Sequence, residues 1–398
     1  MKSNKARPNV FIVETPHQLL NAIEAVRSLR LRDNHLVILG PRGFDRSRFI
    51  PLLQESKWSS LRYLSPFIRS RPWVRKLFGS AVYRSYCRLL HFRRMAILAG
   101  LSARFREVDG LFLGHYCAEE KPFMRHIANI IDYHELYLLD DGTDTIEINK
   151  SRNSHGSHQH PAPEIAYAPL SPHRLLRHFF SSKYWTWSLA EAPRLTFFTV
   201  YDLELRPGDS LIRNDYGWLR SRSVGNRVSM PDTVVFIGQC IQDGNIELNT
   251  HLKFLARARE HFSEKHFIYV AHPRESTSCL DQVRRSLQCE IWPSLSVIEQ
   301  DMFGRGMSPE VIAGFATSAH ITLAYLMAPD VDIVCFELPP DCWLGWKTGA
   351  SAFYEYVRKK MYPRIAVIPL SADECDCVAS SSVTNVREEL KRGTEVQL

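Results

Sequence analysis

An α/β protein of two domains, each built on a parallel sheet covered by helices, is what this sequence predicts. Three features predict it. Short apolar, β-branched runs alternate with helical stripes, which is the pattern of βα units rather than of hairpins. Several runs stop abruptly on polar or proline-containing loops, as residues 267–271 (FIYVA) stop on His272 and Pro273. Proline has no N–H to donate to a ladder, so such a run reads as a buried strand ending at the carboxyl edge of its sheet. The length, 398 residues, gives room for two or three domains at ~150 residues each.

Composition narrows the class. With 45% hydrophobic and 23% charged residues, the chain can bury an ample core and is an ordinary globular protein. Its formal charge of +7 is basic without being polycationic, and no recognisable nucleic-acid module accompanies it, so no nucleic-acid partner is expected. The nine cysteines are scattered, and Cys375 and Cys377 stand too close for a usual ligand pair. A reducing, cytoplasmic setting is expected. The start, MKSNKARPN, is polar and leads straight into a strand, so no signal peptide is expected. No run approaches the roughly eighteen apolar residues of a membrane span.

Taken in order, residues 10–13 form the first strand, closed by Glu14-Thr15-Pro16. Leu19, Leu20, Ile23 and Val26 then make a helical stripe, with Thr15 as N-cap and Pro16 in the first turn. This unit has no glycines and is no dinucleotide fingerprint. His17 and Gln18 sit on the first turn, toward the strand's carboxyl edge, where open α/β sheets bind ligands. A second strand spans 36–39. Residues 62–96 interleave Arg and Lys with Trp, Phe, Tyr and Leu, a basic amphipathic segment that suits an anionic surface. It also reads as an outer helix whose Arg stems cover apolar surface.

Strands follow at 110–113 and 136–139, the latter ending in Asp140-Asp141-Gly142-Thr143. Of two adjacent carboxylates at a strand end, one can cap the loop backbone while the other serves as a general base. The capping role suits Asp140 better than Asp141. Residues 151–173 read as a loop whose His155, His158 and His160 are spaced loosely for a metal, and 174–188 is again basic and aromatic. Arg206-Pro207-Gly208-Asp209 marks a break, placing the domains at 1–205 and 206–398.

In the second domain, strand 233–237 runs into Gly238-Gln239-Cys240-Ile241-Gln242-Asp243-Gly244, and helix 247–262 leads to strand 267–271. A short strand and turn cover 289–299. Residues 313–320, a small-residue loop with Thr317 and Ser318 opening a helix, suit a phosphate, because hydroxyls and free N–H groups converge there. A plain N-cap is the simpler alternative. Strand 331–336 is the last, and the tail after Ala379 is expected to be mobile or helical.

The segments ETPHQLLNAIEA, LLDDGT, YVAHPRE and GFATSAH, in this order over residues 9–336, resemble the bacterial sialyltransferases of the lipooligosaccharide and capsule polysialyltransferase types. Those families carry an acidic-acidic-Gly motif, a His-Pro motif and a Ser/Thr motif. The resemblance implies a GT-B-like fold, two Rossmann-like domains with parallel sheets and a cleft between them. It implies an inverting, metal-independent transfer of sialic acid from CMP-sialic acid to a hydroxyl of a cell-surface glycan, with no cofactor. Asp141 would then be the base, with Asp243 as its rival, and His272 would offset charge on the CMP phosphate. Pro273, Gly238, Gln239, Thr317 and Ser318 would bind the donor. Glu299 would hold the cytidine ribose, although the Pro-Ala-Glu of those enzymes is Val-Ile-Glu here. His17, Gln18 and Asp140 would lie on the acceptor side. The expected partners are a CMP-sugar and a glycan or glycolipid acceptor, and the basic face suits an anionic membrane surface on the inner side of the cell membrane. Two alternatives stand beside this: a GT-B enzyme using another nucleotide sugar, and a non-catalytic glycan- or lipid-binding protein.

Overall fold

The computed structural model describes residues 7–40, 44–66, 72–117, 122–154, 187–222, 228–239, 246–294, 296–304 and 306–371. The chain forms two compact units. The first comprises Met1–Ser229, Ser294–Ser308 and Thr317–Ala328, and the second Met230–Pro293, Pro309–Ala316 and Pro329–Leu398. Asp243, the three loop histidines, residues 174–186 and the tail all lie outside the described residues.

The first unit is built on a seven-stranded sheet: β1 (Asn9–Val13), β2 (Asn34–Leu39), β3 (Ser60–Leu64), β4 (Glu107–Leu113), β5 (Asp132–Leu139), β6 (Thr196–Thr199) and β7 (Ser210–Arg213). Their order is β3-β2-β1-β4-β5-β6-β7, and every neighbouring pair is parallel. All five residues of β1 are buried, as a central parallel strand covered on both faces requires. Helix α1 (Pro16–Ser28) starts as predicted, with the Thr15 hydroxyl accepting from Gln18 N at 3.2 Å and Pro16 in the first turn. Around the sheet lie α2 (Ile50–Leu53), α3 (Pro72–Arg104), α4 (Pro122–Ile130), α5 (Asp144–Ser154) and α6 (Gly217–Arg222).

Edge strand β3 takes the start of the basic segment, and α3 takes most of the rest. That helix buries Met95, Leu98 and Leu101 and leaves Leu77, Val82, Leu89 and Phe92 exposed. Among the described residues no helix is long and apolar enough to cross a membrane. Arg206–Asp209, read from sequence as a break, is the turn into β7, where Gly208 takes φ +95° and Asp209 N donates to Arg206 O. The Asp209 side chain is fully buried there. Both its carboxylate oxygens accept from the Arg152 guanidinium, at 2.7 and 2.8 Å, and one also accepts from Leu195 N.

The second unit holds a six-stranded sheet in the order β10-β9-β8-β11-β12-β13: β8 (Val228–Ile237), β9 (His266–Val270), β10 (Glu290–Trp292), β11 (Met307–Gly314), β12 (Asp332–Glu337) and β13 (Ala366–Pro369). Pairs β10–β9, β9–β8, β11–β12 and β12–β13 are parallel. Helices α7 (Leu248–His261), α8 (Thr277–Leu287) and α11 (Lys347–Tyr356) accompany it, while α9 (Ile298–Gly304) and α10 (Ala319–Leu326) are counted with the first unit. Residues 298–299, expected in a turn, begin α9. In both sheets the first strand lies inside and the order of successive strands reverses beside it, which is Rossmann order. The two Rossmann-like domains expected of a GT-B-like chain are both present.

One core residue sets an acid limit on the second unit. His251 is fully buried against Phe315, and neither ring nitrogen has a partner among the described residues. Burial pushes its ring down from 6.5 to about 4. A histidine held neutral in the folded state takes up its proton on unfolding, so stability is lost as pH falls from about 6.5 toward 4. The loss approaches roughly 3 kcal/mol at 1.4 kcal/mol per pH unit. His251→Leu is expected to raise stability and flatten this slope, which urea unfolding at pH 7 and pH 5 will read.

Candidate active site

Rossmann-ordered sheets bind ligands beyond the carboxyl ends of their strands, where the strand order reverses. In the first unit that point lies between β1 and β4, so the turns after them, at residues 14–18 and 114–117, come together with the turns after β5 and β6. Gly114 is needed there because a Cβ would lie 2.1 Å from Gln18 Oε1. Gln18 is fully buried, and its Oε1 accepts from Glu14 N at 2.7 Å. Expected on the acceptor side, it instead braces the β1–α1 turn. His17, beside it, keeps 20% of its side chain exposed, and its Nε2 stands 3.9 Å from Glu299 Oε1.

The Asp-Asp pair divides its roles by burial. Asp140 is fully buried, accepting from the Thr199 hydroxyl and from Val200 N, while its own carbonyl accepts from Asn21. Burial pushes its carboxyl up to about 6, against the opposing pull of the Thr199 and Val200 hydrogen bonds and of His17. It ties β5 to β6 and reaches no surface, which removes it from direct acceptor contact. Asp141 is only half-buried, with its N–H held by the Thr145 hydroxyl at 3.1 Å. Gly142 follows with φ +67°, and a Cβ on it would lie 2.7 Å from Ser318 Oγ. The acidic-acidic-Gly turn and the Ser/Thr segment, far apart in sequence and expected in different domains, therefore meet inside one unit.

Ser318 precedes α10 without making a side-chain cap, so its hydroxyl is left to face the Gly142 turn, and Thr317 Oγ1 accepts weakly from Ala319 N at 3.4 Å. Glu299, in the first turn of α9, is 3% exposed and accepts from the Thr322 hydroxyl at 2.5 Å. His17, Asp141, Glu299, Thr317 and Ser318 thus belong to one unit.

The second unit presents its own switch-point turns. Gly238 follows β8, and a Cβ there would meet the Tyr269 hydroxyl, Val270 O and Glu275 Oε2, all within 2.8 Å. Gln239 donates from Nε2 to Ala316 O, tying the turn after β8 to the one after β11. His272 is half-buried; its N–H donates to Glu275 Oε2 at 2.5 Å and its Nδ1 accepts from Arg274 N at 3.2 Å. The neutral ring therefore carries its proton on Nε2. Pro273 opens the turn that Glu275 N closes onto His272 O. Burial pushes the Glu275 carboxyl up to about 7, while the Tyr269 hydroxyl and His272 N–H pull the other way. This brace is most favourable below about 4.5 and loses stability as pH rises through 7.

Sequence reading missed His115 and Thr199. Gly114-His115 ends a strand as His272 does, and that signal was present; Thr199 becomes meaningful only once β6 lies beside β5. Among the described residues, His115, Asp141 and Asp144 bring ligand-type atoms within 4.8 Å of one another. A metal fits poorly there, because His115 Nδ1 accepts from Cys117 N and the nitrogen facing the carboxylates is the protonated one.

No protein-family model and no curated protein matches the chain. Solved structures with a similar course include Acinetobacter baumannii MurG, at 10% identity and TM-score 0.43 over 91% of this chain and 86% of that one. TcCGT1 in complex with UDP is similar at 12% identity and TM-score 0.46, over 92% and 86%. A UDP-glucosyltransferase from Polygonum tinctorium capable of glucosylating indoxyl follows at 13% identity and TM-score 0.47, over 93% and 87%. The architecture itself rests on the two sheet orders.

Proposed function

We propose that this protein is an inverting glycosyltransferase that moves a sugar from a nucleotide-sugar donor to a glycan hydroxyl, and that the donor is CMP-sialic acid. The observation that supports it most is the division of the Asp140–Asp141 pair: one carboxylate is locked inside the sheet and the other is left half-exposed on a turn that touches Ser318. In this account the acceptor oxygen attacks the anomeric carbon as the bond to the CMP phosphate breaks, and Asp141 takes the hydroxyl proton. His272 offsets the charge that develops on the leaving phosphate. His17, beside the buried Glu299, assists on the acceptor side. The motif order supports CMP-sialic acid over other donors. The basic, aromatic segment 62–96, with its exposed Leu77, Val82, Leu89 and Phe92, suits a glycolipid acceptor held at an anionic membrane surface.

Incubating the protein with CMP-sialic acid, UDP-sugars and GDP-sugars, with and without a glycan acceptor, tests this. Acceptor-dependent CMP release with inversion at the anomeric carbon is expected. Turnover of a UDP- or GDP-sugar instead would replace the donor, and CMP binding without turnover would favour the non-catalytic alternative.

A further inference from the structure

We propose that His115 is a positioning residue for the Asp141 base and acts through Asp144. The proposal rests on the transferase function above. His115 lies on the turn after β4, at the switch point of the first sheet, and only 1% of its side chain is exposed. Each ring nitrogen of the buried imidazole faces one neighbour. Nδ1 accepts from Cys117 N at 3.1 Å, which puts the proton of the neutral ring on Nε2. Nε2, which carries that proton, stands 3.4 Å from Asp144 Oδ2.

Asp144 is the first residue of α5 and keeps 39% of its side chain exposed, so without the imidazole it is free to turn into solvent. With it, the Asp144 carboxylate is held within 4.8 Å of Asp141. The next residue, Thr145, holds the Asp141 N–H, so one tether fixes the Asp141 backbone and the other its neighbouring charge. Held in this way, the Asp141 turn keeps one position as the acceptor hydroxyl approaches. The ring itself is too buried to touch substrate, and its contribution passes through Asp144.

Two substitutions separate this from simple packing. His115→Asn keeps an acceptor near the Nδ1 position and loses the Nε2–H, whereas His115→Gln places an amide N–H near Nε2. His115→Asn is expected to lower kcat about 10- to 100-fold with KM for the donor and the melting temperature unchanged, and His115→Gln to regain most of that loss. Adding Asp144→Asn to His115→Asn should cost little more, because the two act as one unit. Nitrogen-15 NMR of the ring reads the tautomer independently of turnover: a proton on Nε2 whose shift moves in Asp144→Asn is expected.

Full kcat in His115→Asn, equal losses in both variants alongside a falling melting temperature, or a proton on Nδ1 would each overturn the proposal. Absence of turnover by the wild-type protein with every nucleotide sugar would instead sink the transferase function on which it rests.

Discussion

Asp141→Asn is expected to lower the rate of sugar transfer about 10²- to 10⁴-fold, the range lost when a general base is removed, with donor binding and the melting temperature unchanged. The side chain is half-buried on a turn whose backbone is fixed independently of it, by Thr145 and by the positive φ of Gly142. Its neighbour should behave in the opposite way. Asp140→Ala leaves the Val200 N–H and the Thr199 hydroxyl without their buried acceptor, a loss of about 1–3 kcal/mol for each such group. Activity should then fall with the folded fraction. A steady-state assay beside thermal unfolding separates the two residues. Undiminished transfer by Asp141→Asn would send the search for the base to Asp243, which precedes Gly244 in the sequence.

The second large effect is on stability. Arg152→Ala or Asp209→Ala is expected to destabilise the protein by about 3–5 kcal/mol, because each removes both charge-assisted hydrogen bonds of a buried pair and leaves only the longer Arg206 contact to Asp209 or the Glu191 contact to Arg152. The Arg152 side chain is 2% exposed and that of Asp209 fully buried, and their bidentate contact holds α5 to the turn that feeds β7. Glu191 adds a contact to Arg152 Nη1 at 3.1 Å. Replacing both partners by apolar residues of similar volume, as in Arg152→Met with Asp209→Leu, should recover much of the loss. Urea unfolding of the two single variants and the double variant measures the coupling directly. Equal and additive losses would show that the contact contributes nothing of its own.

The central strands could be read from sequence because burial on both faces writes them as continuous apolar runs. Asn9–Val13 and His266–Val270 are of that kind. β3 and β7 lie at sheet edges, are half-exposed and look like loop. β11 was hidden by Ser308, Pro309 and Glu310. Its ladder with β12 begins only at Val311, so the proline falls before that register. The site was legible in part for a related reason. Strand-end motifs such as Asp140-Asp141-Gly142 and His272-Pro273 are local, and a sequence displays them. Which carboxylate of a pair is buried depends on Thr199 and Val200 from a strand far along the chain, and so does not show locally. That Gly142 meets Ser318, and that Arg152 finds Asp209, are likewise facts of packing between distant segments.

The central claim is that a cytidine nucleotide binds and that His272 contacts its phosphate. Thermal stabilisation by CMP, UDP and GDP, in the wild-type protein and in His272→Ala, tests it most directly. A ligand that binds only the folded state raises stability with its concentration. The account predicts a CMP-selective rise that weakens in His272→Ala. No rise with CMP, or equal rises with all three nucleotides, would contradict it.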